Sequence, residues 1–432
     1  MSSGDEIAAG QENSADATAR QPSPIPDHVP PELVVDPAPY LARFNTDVDP
    51  YSRTKDIFEN APPIFYTNKL SGFNEIRSGW VVTRYKDIRE VYQNDAVFSN
   101  RPVRGFASRI GETFPLLPLH KDPPEHGKYR LFLMPWFSPK AVNALEGRIR
   151  TTITELIDGF AEKGACDIAQ DFGRFYPVRV FLDMMGFPQE AREQFLEWEY
   201  AILHSQDDGD RMTWGLKGAV AWLRGYMERA KAAPLTSDLA SYIVHGEIEN
   251  RPVTEDEILG MLVFLWVAGL DTVAAMTAFI FRRLALTPDL QQRLRENPDL
   301  IPDAIEELLR LHPVVDPPRL VKQDHELSGV KMKTGDWVIP FNSSGNFDPE
   351  EFDDPRAFRL DRPSNRHFTM GGGAHRCLGS HLARSELRIA LTEFLRRIPQ
   401  FSPAPGETLE AFPGLISAPR VPIVWDATAV WP

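Results

Sequence analysis

Two cysteines, Cys166 and Cys377, are all that 432 residues contain. That rules out a disulfide framework and a cysteine-held iron–sulfur cluster, and it suits a reducing compartment. An excess of positive charge is missing too. The chain has 47 Lys and Arg against 61 Asp and Glu, a net charge of −14. Nucleic-acid binding as the main activity needs clustered basic residues and is not expected. The longest apolar run, "GMLVFLWVAGL" (Gly260–Leu270), stops at Asp271, short of the ~20 residues that span a bilayer. Residues 1–31 are polar and rich in Ser, Ala, Pro and acid, without the apolar core of a signal peptide. They read as a disordered tail ahead of one domain over residues 32–432. No internal repeat, flavin fingerprint or nicotinamide fingerprint stands out. A soluble cytoplasmic monomer without a membrane or nucleic-acid partner is expected.

What is present is a helical pattern with much punctuation. There are 38 prolines, well above the usual share of about 5%. "GWVVTRYKDIREVYQND" (Gly79–Asp95) reads as a strand and then a helix, and Ser138–Gly164 as a helix capped by Ser138 with Pro139 in its first turn. Helical spacing continues over Phe181–Tyr226. Thr254 and Glu257 form a capping box that opens the longest helix, which runs to about Leu286 and is apolar almost all round, hence central. Further helices are expected at Ile301–Pro313 and Leu378–Pro399, with strands within Arg319–Pro340 and at Pro422–Asp426. The fold class is mainly α with a small β portion.

Near the C-terminus the chain reads "FTMGGGAHRCLGSHLAR" (Phe368–Arg384). Cys377 lies just before a helix start, where free amides and the helix dipole favour a negative sulfur. Gly371, Gly372, Gly373 and Gly379 allow tight turns and close approach of a ligand. By itself this is either an inert cysteine in a turn or a thiolate poised as an axial haem ligand. Cys166, in "EKGACDIAQ", has only the first reading.

The stretch resembles the haem-binding loop of the cytochrome P-450 superfamily, Gly-x-His-x-Cys-x-Gly, filled by Gly373, His375, Cys377 and Gly379. Three further signatures follow the same resemblance. "EELLR" supplies Glu307 and Arg310, with Arg362 in "FRLDRP" as third member of a buried network. "AGLDT" (Ala268–Thr272) matches the oxygen-activation motif, and "DPPEHGKYR" (Asp122–Arg130) the propionate-binding segment. The likeness is greatest to the bacterial camphor-hydroxylase branch. It implies haem b between the long central helix and the cysteine-loop helix, with Cys377 as metal ligand. Asp271 and Thr272 then act as the proton-handling pair, and His126, Arg130, Arg319, His375, Gly371 and Gly379 as cofactor-binding residues. Without it, Glu307 and Arg310 are an ordinary ion pair, and Asp271 and Thr272 a solvated acid beside a Thr bonded one turn back. Met370 stands where the family usually has a Phe beside the thiolate. Asp316 and Pro317 stand where this branch often places an Asp near the propionates.

The same resemblance puts Phe114, Leu116, Leu119, Phe264, Val267, Ala268, Val315, Leu415 and Ile416 in an apolar substrate pocket. Phe114 falls where the camphor hydroxylase offers a Tyr. The activity implied is a monooxygenase that hydroxylates an unactivated C–H bond of a small terpenoid or norisoprenoid-like substrate with dioxygen. Its electrons would come from a two-iron two-sulfur ferredoxin and an NADH-dependent reductase, received at Lys128, Arg130 and Arg376, with Arg366 and Arg384 as further candidates. The rivals are a haem-thiolate isomerase, dehydratase or peroxygenase, which often lack the acid–alcohol pair, and a non-catalytic haem sensor.

Overall fold

The computed structural model describes residues 23–37, 49, 51–70, 78–101, 106–204, 208–407 and 417–431. Helices dominate, accompanied by four small sheets. The central helix runs Glu255–Gly269, breaks at Leu270 and resumes as Asp271–Ala285. Its capping box is formed. Thr254 Oγ1 accepts the Glu257 amide at 3.4 Å, and the Glu257 carboxylate accepts the Thr254 amide at 2.8 Å. By length and composition this helix could cross a membrane, but 67% of its apolar stretch is buried inside the protein, as befits a core helix. The break falls at a seam between two apolar cores. Leu259, Leu262 and Trp266 belong to one, and Val273, Phe279 and Leu284 to the other. The two halves of the helix thus lie one in each core, and the break falls where the cores meet.

The cysteine-loop helix, Ser380–Arg397, packs against Pro139–Asp158 and Ile301–Leu311. Ion pairs Arg388–Glu146 and Arg150–Glu393 lace the first of these contacts. Ser138 caps its helix by accepting the Ala141 amide, but that helix ends at Asp158 rather than at Gly164. Phe160 leaves helical geometry (φ −130°) to bury its ring edge-on against Phe172. The chain then turns at Gly164 into the strand Ala165–Asp167, which carries the buried Cys166.

The largest sheet has five strands in the order Ile64–Thr67, Gly79–Val82, Trp337–Pro340, Arg319–Val321 and Phe98–Ser99. Its one parallel pair joins Gly79–Val82 to Trp337–Pro340, with Trp80 opposite Val338. The tail boundary at residue 31 does not coincide with the onset of packing. Val29 is buried, His28 Nε2 lies 2.9 Å from Asp336 Oδ2, and the Ser23 carbonyl accepts from Asn68. Val29 is an apolar residue within a polar stretch, and composition averages it away.

Candidate active site

The cysteine loop is held by its own backbone. The Gly371 amide donates to the Phe368 carbonyl at 2.7 Å, and the Cys377 amide to the Met370 carbonyl at 2.8 Å. Gly371 and Gly373 take φ of +67° and +63°. A β-carbon on Gly373 would overlap the Tyr92 carbonyl oxygen, so only glycine fits there. Cys377 sits three residues ahead of Ser380, the first residue of its helix, and its side chain faces a cavity. Burial pushes its thiol above the ordinary range, while the Gly379 amide, Arg130, Arg384 and Arg376 pull the other way. A metal ion bound there would displace the thiol proton outright. Met370 is buried beneath the loop. Phe368 is committed elsewhere, its ring 4.4 Å from that of Tyr85 and 5.5 Å from that of Tyr92.

Glu307, Arg310 and Arg362 are brought together. Arg310 donates twice to the Glu307 carboxylate, at 2.8 and 2.7 Å, and Arg362 Nε once, at 2.9 Å. Glu307 and Arg310 are fully buried. Two buried guanidiniums on one carboxylate leave a net charge that carbonyls must solvate. Those of Asn346 and Pro355 accept from Arg310, and those of Asp353 and Asp354 from Arg362. Asn346 passes the order to the loop, accepting the Phe368 amide at 2.8 Å and donating to Thr369 Oγ1 at 3.0 Å.

At one end of the cavity stand His126, Arg130 and His375. The two imidazoles lie 4.2 Å apart between centroids, and each has a buried Nε2 with no partner among the described residues. Burial, helped by Arg130, holds His126 down at about 4. Burial, with His126 and Arg319 adding, holds His375 at about 3. Unpaired buried polar atoms are costly. Two of them beside an arginine, across from a thiol that faces the same space, fit a flat metal-centred group with carboxylates at one edge. Arg319 is placed differently from the other three. It is buried over the Tyr92 ring, 5.1 Å from its centroid, donates to the Pro317 and Pro318 carbonyls, and does not line the cavity. Asp316 is engaged with the Asn342 amide at 2.8 Å.

The opposite wall is the broken helix. Phe264, Ala268 and Gly269 line the cavity before the break, and Thr272 and Val273 after it. Thr272 Oγ1 donates to the Ala268 carbonyl at 3.0 Å, the ordinary bond one turn back. That bond uses the hydroxyl proton and leaves the oxygen's lone pairs for a donor in the cavity. Asp271 points away, bonded through Oδ2 to His204 Nε2 at 3.0 Å.

Of the nine pocket residues expected, Leu119, Phe264 and Ala268 line the cavity. Phe114, Leu116 and Val267 are instead packed in the core, and Val315 against the other core cluster. Gly260 explains the first two. Its missing β-carbon lets the Pro115 carbonyl press against the central helix, and this turns Phe114 and Leu116 inward. Leu415 and Ile416 lie outside the described residues. Pro177, Phe181 and Met184, from the helix Phe175–Met185, line the cavity without having been anticipated. So does Glu386, a buried acid whose carboxyl burial raises well above its usual range. Glu386 shares the buried stripe of its helix with Ala383 and Ala390, and a charge in phase with an apolar stripe is a readable signal.

The basic face is weaker than the count of arginines implied. Lys128 pairs with Glu249 at 2.7 Å, Arg366 with Glu351 at 3.2 Å, and Arg384 with Glu306 at 2.5 Å. Arg130 turns into the cavity, and Arg376 is exposed at its edge.

A family model described as cytochrome P-450 matches residues 224–419. The probable cytochrome P-450 127A1 of Sinorhizobium fredii is 38% identical over 385 residues, 88% of this chain and 91% of that protein. The crystal structure of cytochrome P-450 CYP101C1 superposes with a TM-score of 0.81 at 31% identity, covering 93% of this chain and 99% of that one. CYP109E1 from Bacillus megaterium, solved in complex with testosterone, follows at 0.77 and 28%, covering 88% and 98%. Over nearly its whole length, then, this chain belongs to the cytochrome P-450 family of haem-thiolate oxidoreductases.

Proposed function

We propose that the protein is a monooxygenase that hydroxylates an unactivated C–H bond of a compact hydrophobic substrate, terpenoid or norisoprenoid in character. Haem b is its cofactor. A two-iron two-sulfur ferredoxin, reduced by an NADH-dependent reductase, is its electron donor. One atom of dioxygen enters the C–H bond and the other leaves as water, consuming two electrons and two protons. The observation that carries this reading is the placement of Cys377 and Thr272 on the lining of one mostly apolar cavity, with Asp271 next to Thr272 but turned outward to His204.

When bound, the haem supplies the binding and reductive activation of dioxygen. Cys377 is its thiolate ligand, and His126, Arg130 and His375 hold its carboxylates, with Arg319 lending positive charge from behind Tyr92. Gly371 and Gly373, both at positive φ, shape the loop that carries the sulfur. Thr272 offers a hydroxyl at the broken helix, and Asp271 passes protons toward it. The intact acid–alcohol pair favours a monooxygenase over an isomerase, dehydratase or peroxygenase. Phe181, Met184, Leu119 and Phe264 exclude water and orient the substrate by shape.

Arg376 and its neighbours on the exposed edge are the docking side for the ferredoxin. Since Lys128, Arg366 and Arg384 are already paired, the salt dependence of electron delivery is modest. The remaining attributes proposed are a cytoplasmic location and a monomeric state. A ferric spin-state titration with monoterpenes, ionones and a steroid tests the substrate. The expected result is tighter binding of the small terpenoids or ionones. Steroid binding tighter than all of them points to a larger polycyclic substrate, as in the testosterone complex of CYP109E1.

A further inference from the structure

The broken helix has a second side. At Leu270 the intrahelical ladder is interrupted, and the second half begins with amides that need partners. The carboxyl of Glu199 lies near Asp271, and Glu199 is only 5% exposed with an Oε1 that has no partner among the described residues. The Asp271 carboxylate is met by His204 Nε2 at 3.0 Å. Both residues come from one short stretch, since Glu199 lies in the helix Arg192–Leu203 and His204 is its C-terminal cap. The His204 side chain is 22% exposed and that of Asp271 16%, while Thr272, the next residue, lines the cavity. His204, Asp271 and Thr272 therefore form a line from the outer surface to the reaction space.

The nature of this partner matters. Lysine or arginine would stay charged at neutral pH and pin Asp271 as an anion. Imidazole both gains and loses a proton in that range. Its surroundings are sparse. Tyr200 stacks on it at 4.9 Å and 19°, Arg211 lies over the Tyr200 ring, and Arg174 faces Glu199 rather than His204. Asp271 is the one charged group bonded to the ring among the described residues. We propose that His204 is the proton entry of the site, acting through its bond to the Asp271 carboxylate. Nδ1 of the ring takes a proton from hydronium in the outer solvent, Nε2 releases its proton to the Asp271 carboxylate, and no electron moves. The neutral ring is left protonated at Nδ1 and returns to the Nε2–H form by exchange with solvent before the second proton of the same turnover. This rests on the monooxygenase reading above and adds to it the route by which protons arrive.

Two variants test it in the haem-loaded protein with its reductase system. His204→Gln keeps a hydrogen-bond donor, and His204→Lys keeps a positive charge, but neither exchanges protons in the neutral range. Both are expected to retain the ferrous carbon monoxide spectrum and the substrate-induced spin shift. Turnover falls by roughly tenfold to a hundredfold, within the usual span for one proton-transfer group. The solvent deuterium isotope effect rises, and the shape of the pH–rate profile changes. A readout independent of turnover is the side-chain nitrogen NMR signal of His204, expected to move with Asp271→Asn and to stay put with Thr272→Ala. Wild-type rates and pH profiles in both variants, or a His204 signal indifferent to Asp271→Asn, overturn the proposal. A wild-type protein lacking the thiolate spectrum would instead sink the monooxygenase reading, a result distinct from either of these.

Discussion

Behind the cysteine loop the polar groups are tied to one another, whereas the imidazoles of His126 and His375 at the cavity's end keep an Nε2 unpartnered among the described residues. Across from the loop, the broken helix and its neighbours present apolar surface with a few polar atoms left room to act. Glu307 alone collects Arg310, Arg362, Asn365 and the Arg359 amide, whereas Thr272 has a single bond to Ala268. The tied side sets where a metal ligand sits and tolerates little change. The open side must admit a substrate and pass protons, and that requires groups not fully satisfied in the resting chain.

The contrast is broken most severely by Glu307→Ala. Two buried guanidiniums would lose their counter-ion, at a cost of about 3–5 kcal/mol. The expected outcome is a protein that accumulates poorly or melts far below wild type, checked by calorimetry and haem content. Near-wild-type stability would mean that the surrounding carbonyls suffice and that the tied side is less dependent on this acid than described.

Gly373→Ala sharpens the comparison at a single backbone position. Its φ of +63° and the Tyr92 carbonyl both oppose a methyl group. A loss of about 1–3 kcal/mol is expected, with weaker haem retention, measured by chemical unfolding and absorbance. A comparable Phe181→Ala change on the open wall should instead shift substrate preference by about 1–3 kcal/mol and leave haem retention unchanged.

The smallest effect concerns pH. Burial pushes the Glu306 carboxyl up, but the bonds from His367 and Arg384 outweigh it and hold the group down at about 2. A carboxyl depressed in the folded state stabilises the protein above its unfolded pKa of about 4.3. That stability drains away as pH falls from there toward 2. Glu306→Gln should therefore flatten stability between about pH 4.5 and 2 while leaving the neutral-pH spectrum alone, as followed by thermal melts across that window.

How much of this was readable beforehand follows the same division. The Thr254 capping box was legible from residue types at fixed spacing, whereas Cys377 and the Glu307–Arg310 pair stood out only through the family resemblance, since spacing alone also allows an inert cysteine and an ordinary ion pair. The break at Leu270 was foreshadowed by Gly269, Asp271 and Thr272 within an apolar helix. The substrate wall was not legible in the same way. Phe114, Leu116 and Val267 are apolar residues that serve a core as well as a pocket, and the core takes all three. Glu199 and Glu386 carried a usable signal, an acid in phase with apolar neighbours. His204 did not, because its role depends on a helix distant in sequence. Arg319, expected among the cofactor-binding residues, sits over Tyr92 and does not line the cavity.

The most direct test is the ligand itself. In Cys377→Ala, reduced and exposed to carbon monoxide, the account predicts loss of the red-shifted thiolate Soret band seen in wild type, with the helical circular dichroism preserved. A variant that keeps that band would show that the sulfur of Cys377 is not the iron's ligand, and would contradict the account.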